Sequence, residues 1–470
     1  MMRWTSSRAT WRGVLRTSAL ALASAASWAT AAPPPERFAL TNCRIIPIDG
    51  KEIAKGVVLI ERGKIAAIGE AGKVEIPFDA REFDCTDKVI MPGAVVAYSS
   101  EGQRNLNESR PIVPQLDVGD VLDPSSTEFE DCLRRGITGV HMGPSLNTSI
   151  GGLGRLVRPI GRTVADMTVV PPAFEIISVS GRFGLSRMTQ RAEMRAAFAE
   201  LKAYMSRLCE TKYEEKLAED EKEIDVAPAE ARKRGRELVT ADDLDDEHLN
   251  LLRLVGGQVD VEGEKTPKIV EPLGAMIYCA RAQDVAPAIQ LAKDNGFFER
   301  SILVLGDDCY KAIDELKKAA RPVVLAGDLL YRETNPLTGE ETEVFVPAKI
   351  AAAGLQFALL PGPSSSMAER MPTYQAARCV REGVARDVAL KAITLEPAKL
   401  LGVGDQFGSL AAGKVANLAV WSGDPLAFDS VVELVFVDGI PAYERTKDVR
   451  LQRLMSDSQG DPAGREGRRD

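Results

Sequence analysis

The chain of 470 residues contains two histidines, His141 and His248, and a histidine-rich metal centre cannot be assembled from two. His141 ends a strand-like segment, which is where barrel enzymes place catalytic side chains. It could therefore act as a single acid or base, with a packed or hydrogen-bonded histidine as the alternative. His248 follows two aspartates and a glutamate in a charge-dense segment, and we predict that it is solvated.

Carboxylates and hydroxyls offer weaker candidates. Asp307 and Asp308 follow the apolar run at 301–306, so Asp307 could work with His141 as an acid–base pair. Neighbouring carboxylates point to different sides, and helix capping accounts for one of them. Three serines at 364–366 have no G-x-S-x-G setting, so we interpret them as loop. The glycines at 151, 152 and 154 lack the spacing of a phosphate-binding loop.

The seven cysteines do not form a metal or redox motif. Their number is odd and no two stand in a CxxC arrangement, which disfavours zinc ribbons and thioredoxin-like sites. Small buried core residues are the main expectation. A disulfide between Cys43 and Cys85 is conceivable if both lie in one small sheet.

Composition narrows the class of protein. The chain is 45% hydrophobic and 27% charged, which is typical of a globular protein rather than a fibrous or disordered one. The formal net charge of -9 leaves no basic surplus to neutralise phosphates, and this argues against nucleic acid as a partner.

Residues 1–31 have the pattern of a signal peptide. Four arginines precede an Ala-rich apolar run and a small-x-small site that ends at Ala31. We therefore expect cleavage near Ala31 and an exported protein, periplasmic or secreted, with a mitochondrial transit peptide as the alternative. The apolar run is too short for a membrane anchor, and no later segment is long and apolar enough to span a bilayer.

The elements that would position these residues fall into two groups. Strand patterns occur near both ends, and we assign 37–90 and 403–445 to one small β-sandwich. Strand and helix patterns alternate between them, so 91–402 is predicted to form a barrel. A charge-dense helical insertion at about 191–262 interrupts that alternation, and we expect part of it to be mobile and solvated, with a partner-binding arm as the alternative. Residues 446–470 are predicted to be a disordered tail.

Three passages resemble the amidohydrolase superfamily, in particular its imidazolonepropionase-like branch. VIMPGAVVAYSSEG at 89–102 resembles the first barrel strand, and MIYCARAQDVAPAIQLAKDNGF at 276–297 resembles a later strand and helix. The segment at 397–426, with its Gly-Ser-Leu and Gly-Lys-x-Ala-x-Leu steps, is similar to the exit from the barrel. The resemblance implies an α/β fold, a (β/α)8 TIM-like barrel plus a small composite β-sandwich formed by both ends of the chain.

The resemblance also implies a metal site, but its ligand positions are substituted. Family members hold zinc or another divalent ion with imidazoles and a carboxylate, and the ion activates water for hydrolysis. The positions of the His-x-His pair fall on Tyr98 and Ser100, and that of a later histidine falls on Tyr278. The final aspartate falls on Gly362 or Pro363. Since neutral hydroxyls are poor ligands, we predict no metal cofactor.

Three hypotheses about function follow. The first is an amidohydrolase-family protein, from a family that hydrolyses non-peptide C–N bonds, that has lost metal-dependent catalysis. It would bind a small molecule in the barrel mouth, or form an oligomer with copies of itself or with an active homologue. The second is an active hydrolase with atypical or no metal ligands, for example through His141 and Asp307. The third is a structural or assembly protein on a barrel scaffold.

Overall fold

The computed structural model describes residues 36–103, 110–181, 184–223, 226–306, 308–361 and 370–459, with side chains through residue 456. These residues belong to one compact unit. The predicted signal peptide at 1–31 lies outside the described residues.

Strands and helices alternate through these ranges. The strands are β1 Arg37–Ile45, β2 Ile53–Glu61, β3 Lys64–Glu70, β4 Arg81–Asp84, β5 Val89–Pro92, β6 Ala94–Ser99, β7 Ile137–Met142, β8 Ile150–Val157, β9 Thr168–Ser178, β10 Asp260–Val261, β11 Glu264–Lys265, β12 Gly274–Cys279, β13 Ser301–Leu305, β14 Val323–Leu325, β15 Leu330–Thr334, β16 Glu341–Phe345, β17 Phe357–Leu359, β18 Leu418–Trp421, β19 Val432–Val437 and β20 Ile440–Glu444. The helices are α1 Thr127–Arg134, α2 Val164–Met167, α3 Arg187–Glu219, α4 Pro228–Gly235, α5 Asp246–Val255, α6 Ala282–Asp294, α7 Ile313–Ala319, α8 Val346–Ala352, α9 Pro372–Arg381, α10 Arg386–Lys391, α11 Leu395–Leu400 and α12 Val449–Gln459.

One sheet joins the two ends of the chain. Its order is β20-β19-β18-β5-β1-β2-β3, with β4 also paired to β1. The central junction is the antiparallel pair of β18 and β5, where Ala419 lies opposite Met91. The sheet curls over its own core, since Ile60 of β2 and Phe436 of β19 belong to one buried cluster. Strands from both ends of the chain therefore form one extra sheet domain, as the sequence predicts.

The second large sheet forms a nearly closed barrel. Its order is β17-β14-β13-β12-β9-β8-β7-β6. The backbone at residues 392–393 bridges the gap between the last and first strands: Leu359 N–H donates to Ala392 O at 2.9 Å, and Val95 N–H donates to Ile393 O at 3.0 Å. The architecture is therefore TIM-like, with an added sheet domain.

The barrel departs from the expected all-parallel arrangement at one strand. β8 runs antiparallel to both neighbours, with His141 opposite Leu156 on one side and Gly154 opposite Phe174 on the other. Only residues 143–149 separate β7 from β8, and a parallel crossover needs a dozen or more residues. The short connection thus forces a reversal that the alternating pattern did not indicate.

The insertion is helical, and its first helix is long. α3 runs for 33 residues and buries one stripe, which includes Met194, Phe198 and Met205. Those side chains join the core on the outer side of the barrel. The far end of α3 forms a separate small cluster, in which Tyr213 and Leu217 pack on Ala231 of α4.

The prediction of a disordered tail from residue 446 is wrong for the part that the structure describes. Residues 449–459 form α12, and Asp448 accepts hydrogen bonds from the backbone N–H groups of Arg450 and Leu451 at its start. Arg134 of α1 also donates to Asp448 at 2.7 Å. A satisfied cap and a nearly buried ion pair hold this helix against the barrel. Residues 460–470 lie outside the described residues.

The seven cysteines are buried free thiols, including Cys43 and Cys85. Burial raises the pKa of both thiols, to about 12 for Cys43 and about 11 for Cys85. Across the described ranges, no helix is both long and apolar enough to cross a membrane.

Candidate functional site

A cavity of about 360 Å³ opens at the carboxyl ends of four barrel strands. Tyr98 reaches it from β6, Ser100 directly follows that strand, and Tyr278 reaches it from β12. Ala326 follows β14 and Leu360 follows β17. The structure therefore brings together three of the substituted ligand positions that were identified from the sequence. The fourth, Gly362, lies outside the described residues.

Tyr98 is fixed in place as a neutral phenol. Its hydroxyl donates to Pro144 O at 2.6 Å, and its side chain is almost wholly buried. Burial raises the pKa of Tyr98, against a smaller opposing effect of its hydrogen bond with Ser100. A Cβ atom on Gly143 would lie 2.7 Å from the ring of Tyr98, so glycine there leaves room for the ring. The side chain of Tyr98 can pack against a ligand, and its raised pKa keeps the phenol protonated at neutral pH.

Charged groups at the cavity are already paired with one another. Arg135 Nη1 donates to Glu128 Oε1 at 2.9 Å, and both side chains are mostly buried. A longer pair joins Arg370 and Glu101 at 3.9 Å. None of these four residues was predicted as a site residue from the sequence. A helical pattern places Glu128 and Arg135 on one helix face, but no local signal connects Arg370 with Glu101.

His141 does not reach the mouth cavity. It is 1% exposed, and its ring packs edge-on against Phe174 with the ring centroids 5.6 Å apart. A Cβ atom on Gly154 would lie 2.5 Å from His141 Cε1, so the imidazole fits only because β8 has glycine there. Burial lowers the pKa of His141 to about 4, although backbone groups of Ala97 and Gly154 oppose this. The proposed acid–base role in the mouth is therefore wrong, because the ring is enclosed within the barrel and neutral near pH 7.

The other candidates also differ from expectation. Asp307 and the serines at 364–366 lie outside the described residues. Asp308 accepts a hydrogen bond from Ala282 N–H at 2.8 Å, so it serves the first turn of α6 rather than catalysis. His248 is not simply solvated: it stacks on Tyr204 at 3.7 Å between ring centroids, and its Nδ1 lies 2.8 Å from Asp245.

The glycines at 151, 152 and 154 lie inside strand β8, not in a loop. Gly152 has a φ of +101°, and its N–H donates to Glu175 Oε1 at 2.8 Å. Glu175 is fully buried, and burial raises its pKa well above the ordinary value. These glycines therefore allow close packing around the buried Glu175 and His141, and they do not form an anion site.

The donors at the mouth do not fit a divalent metal ion. The strand-end positions present phenol and hydroxyl groups, whereas zinc prefers imidazole, thiolate and carboxylate. Over the described part of the chain, no three His, Cys, Asp or Glu side chains are arranged to hold a metal. We therefore derive no chemical step through a metal.

Comparisons with known proteins point to one family. A model of the amidohydrolase family matches residues 363–443. Amidohydrolase tasK of Hapsidospora irregularis is 33% identical over 70 residues, which is 15% of this chain and 7% of that protein. An N-substituted formamide deformylase of Arthrobacter pascens is 44% identical over 71 residues, which is 14% of this chain and 13% of that protein. The chain thus covers only a small part of these two relatives.

A solved structure matches over a much greater length. The amidohydrolase from Thermotoga maritima MSB8 has a TM-score of 0.68 and 26% sequence identity. The match covers 87% of this chain and 100% of that one. It therefore extends the likeness from residues 363–443 to most of the chain.

Proposed function

The chain belongs to the amidohydrolase superfamily, and from that premise we propose that it keeps the barrel as a small-molecule binding site without metal-dependent hydrolysis. One observation carries the proposal. The strand ends at the mouth carry Tyr98, Ser100 and Tyr278 at the ligand positions of the family, and neutral phenol and hydroxyl groups bind divalent ions poorly.

The mouth cavity suits a small ligand. Its volume lies within the range of about 300–1,000 Å³ that is typical of ligand pockets. Tyr98, Ala326 and Leu360 supply an apolar wall, and Ser100 and Asn147 supply polar groups nearby. Such a lining favours a molecule with one apolar part and one hydrogen-bonding part, for example a substituted amide.

The alternative of hydrolysis through His141 has little support. A general base must come within hydrogen-bond reach of its substrate, and His141 is enclosed between Gly154 and Phe174. Association with a catalytically active homologue stays a prediction.

Metal content tests the loss of the metal site. We expect less than about a tenth of an equivalent of zinc in the purified chain after dialysis against limiting zinc, measured by elemental analysis. A stoichiometric equivalent that persists, and that chelation removes with loss of amide hydrolysis, would overturn the proposal.

Ligand binding tests the remaining function. An N-substituted formamide such as N-butylformamide is a suitable probe, since a relative with that activity is similar over 71 residues. A bound ligand raises the melting temperature by mass action, and we expect this rise without release of formate. Ala326→Leu should abolish the rise by filling the cavity, whereas Ala353→Leu, outside the lining, should retain it. Formate release, or an equal response of both variants, would contradict the proposal.

We also infer that the protein is exported. The Arg-rich start and the small residues that end at Ala31 support this inference. Mass spectrometry of the mature N-terminus should find a chain that begins at Ala32 or within a few residues of it. An intact Met1 in the purified native protein would contradict export by this signal.

A further inference from the structure

A cavity larger than the mouth lies at the opposite end of the barrel, among the described residues. Its volume is about 660 Å³, against about 360 Å³ at the mouth. Four of its lining residues, Gly274, Ser301, Val323 and Phe357, are the first residues of β12, β13, β14 and β17. Because the amino ends of parallel strands meet at one end of a barrel, this is a separate site on the opposite face.

Small residues keep this end of the barrel open. Gly274 cannot be enlarged, since a Cβ atom there would lie 2.6 Å from the ring of Phe174. Ala320 and Gly354 line the entrance, and both have positive φ angles. Phe174, Ile302 and Leu400 supply apolar wall. The cavity is thus large enough for a small molecule. Its apolar lining interacts unfavourably with water, which favours an apolar ligand group there.

The charges at this cavity are unequal. Arg321 pairs with Glu299 at 2.9 Å, and Lys399 pairs with Glu396 at 3.1 Å. Arg300 instead donates Nε to Leu273 O at 2.9 Å and Nη2 to Leu254 O at 2.7 Å. Both acceptors are neutral, and within the described ranges no carboxylate lies at ion-pair distance from Arg300. The lining residues thus include three cations and two carboxylates, a formal charge of +1, and Arg300 is the cation that hydrogen-bonds to backbone carbonyls instead of a carboxylate.

We propose that the cavity at the amino ends of the barrel strands binds an amphipathic monoanion, a carboxylate with an apolar chain. The apolar chain would lie against Phe174, Ile302 and Leu400, and the carboxylate would lie toward Arg300 and the rim. An unbalanced guanidinium beside an apolar lining favours such a ligand over a neutral one, because a carboxylate gains a charge-assisted hydrogen bond.

Calorimetry with octanoate and 1-octanol tests the proposal on the full chain at pH 7.5. The two probes share an eight-carbon chain, so the carboxylate is the main difference between them. We expect octanoate to bind at least about tenfold more tightly, and the difference to shrink at high salt. Equal affinity of the two probes, or no binding of octanoate, would overturn the proposal.

Variants locate the site. Gln356 is exposed and lines the cavity, so Gln356→Trp should block it without disturbing the core and weaken octanoate binding at least about tenfold. Gln290→Trp, on the exposed face of α6, is the matched control and should bind like the parent. Ala326→Leu at the mouth should leave octanoate binding unchanged. Normal binding by Gln356→Trp, or its loss in Ala326→Leu, would contradict this location.

Discussion

Arg187 and Asp284 form a two-point ion pair, with Nε donating to Oδ1 at 2.8 Å and Nη2 to Oδ2 at 3.3 Å. Arg187 opens the long helix α3 of the insertion, and Asp284 lies in the first turn of α6, after barrel strand β12. Asp284 is fully buried and also accepts hydrogen bonds from Ser180 Oγ and Arg281 N–H. This carboxylate therefore holds the insertion against the rim of the barrel.

Asp284→Ala should destabilise the protein strongly. Asp284 is fully buried, whereas the Arg187 side chain is 36% exposed and can be hydrated after the change. The loss of the carboxylate leaves the buried donors around it unsatisfied, which costs about 1–3 kcal/mol in the free energy of unfolding. Urea unfolding followed by circular dichroism measures the change. Glu200→Ala removes the partner of Arg207 in an exposed pair, and this control should cost less than about 1 kcal/mol. Equal losses for the two variants would contradict the role assigned to Asp284.

Glu175→Gln should change how stability depends on pH. Burial raises the pKa of Glu175 well above its ordinary value of 4.5, so the folded chain holds this proton to a higher pH than the unfolded chain does. The stabilising contribution of the protonated group is complete below about pH 4.5 and is lost as the pH rises. Relative to the parent, the variant should therefore gain stability between pH 5 and 8. Parallel curves of stability against pH for Glu175→Gln and the parent would refute the prediction.

His141→Gln should reduce destabilisation by acid. The folded-state pKa of about 4 lies below the ordinary value of 6.5, so the unfolded chain takes up a proton first as the pH falls. The stability that depends on neutral His141 is complete above about pH 6.5 and declines toward pH 4, by about 3 kcal/mol. The urea concentration at the midpoint of unfolding should therefore fall less in the variant than in the parent as the pH is lowered from about 6.5 to 4. The control variant His248→Gln retains His141 and should therefore still lose this stability between about pH 6.5 and pH 4. An unchanged loss of stability in acid for His141→Gln would contradict the burial argument.

Gly154→Ala should be far more harmful than Gly139→Ala. A Cβ atom on Gly154 would lie 2.5 Å from His141 Cε1 and 2.9 Å from Met142 O. The same atom on Gly139 would meet its nearest neighbour, Leu156, at an ordinary 3.7 Å. Overpacking of this kind costs about 1–3 kcal/mol. Thermal unfolding of both variants checks the difference, and equal melting temperatures would show that β8 can shift away from the imidazole.

Local patterns in the sequence were sufficient for many elements. The apolar run at 301–306 corresponds to β13, and the strand patterns near both ends of the chain correspond to strands such as β1 and β19. These predictions succeeded because hydrophobic periodicity and end signals lie within the element itself. The resemblance to a known family added the barrel, the joining of both chain ends in one sheet, and the positions of Tyr98 and Tyr278 at the mouth.

Only the tertiary structure decided the direction of β8, the enclosure of His141 and the burial of Glu175 and Asp284. Each depends on groups far apart in the sequence: Asp284 meets Arg187 across 97 positions, and Glu175 meets Gly152 across 23. Burial and ion pairing depend on which surfaces pack together in the folded chain. A local sequence pattern does not contain that information. The sequence therefore determined the scaffold and the residue types at the mouth. The packed chain decided which ionisable groups are exposed, charged and able to meet a ligand.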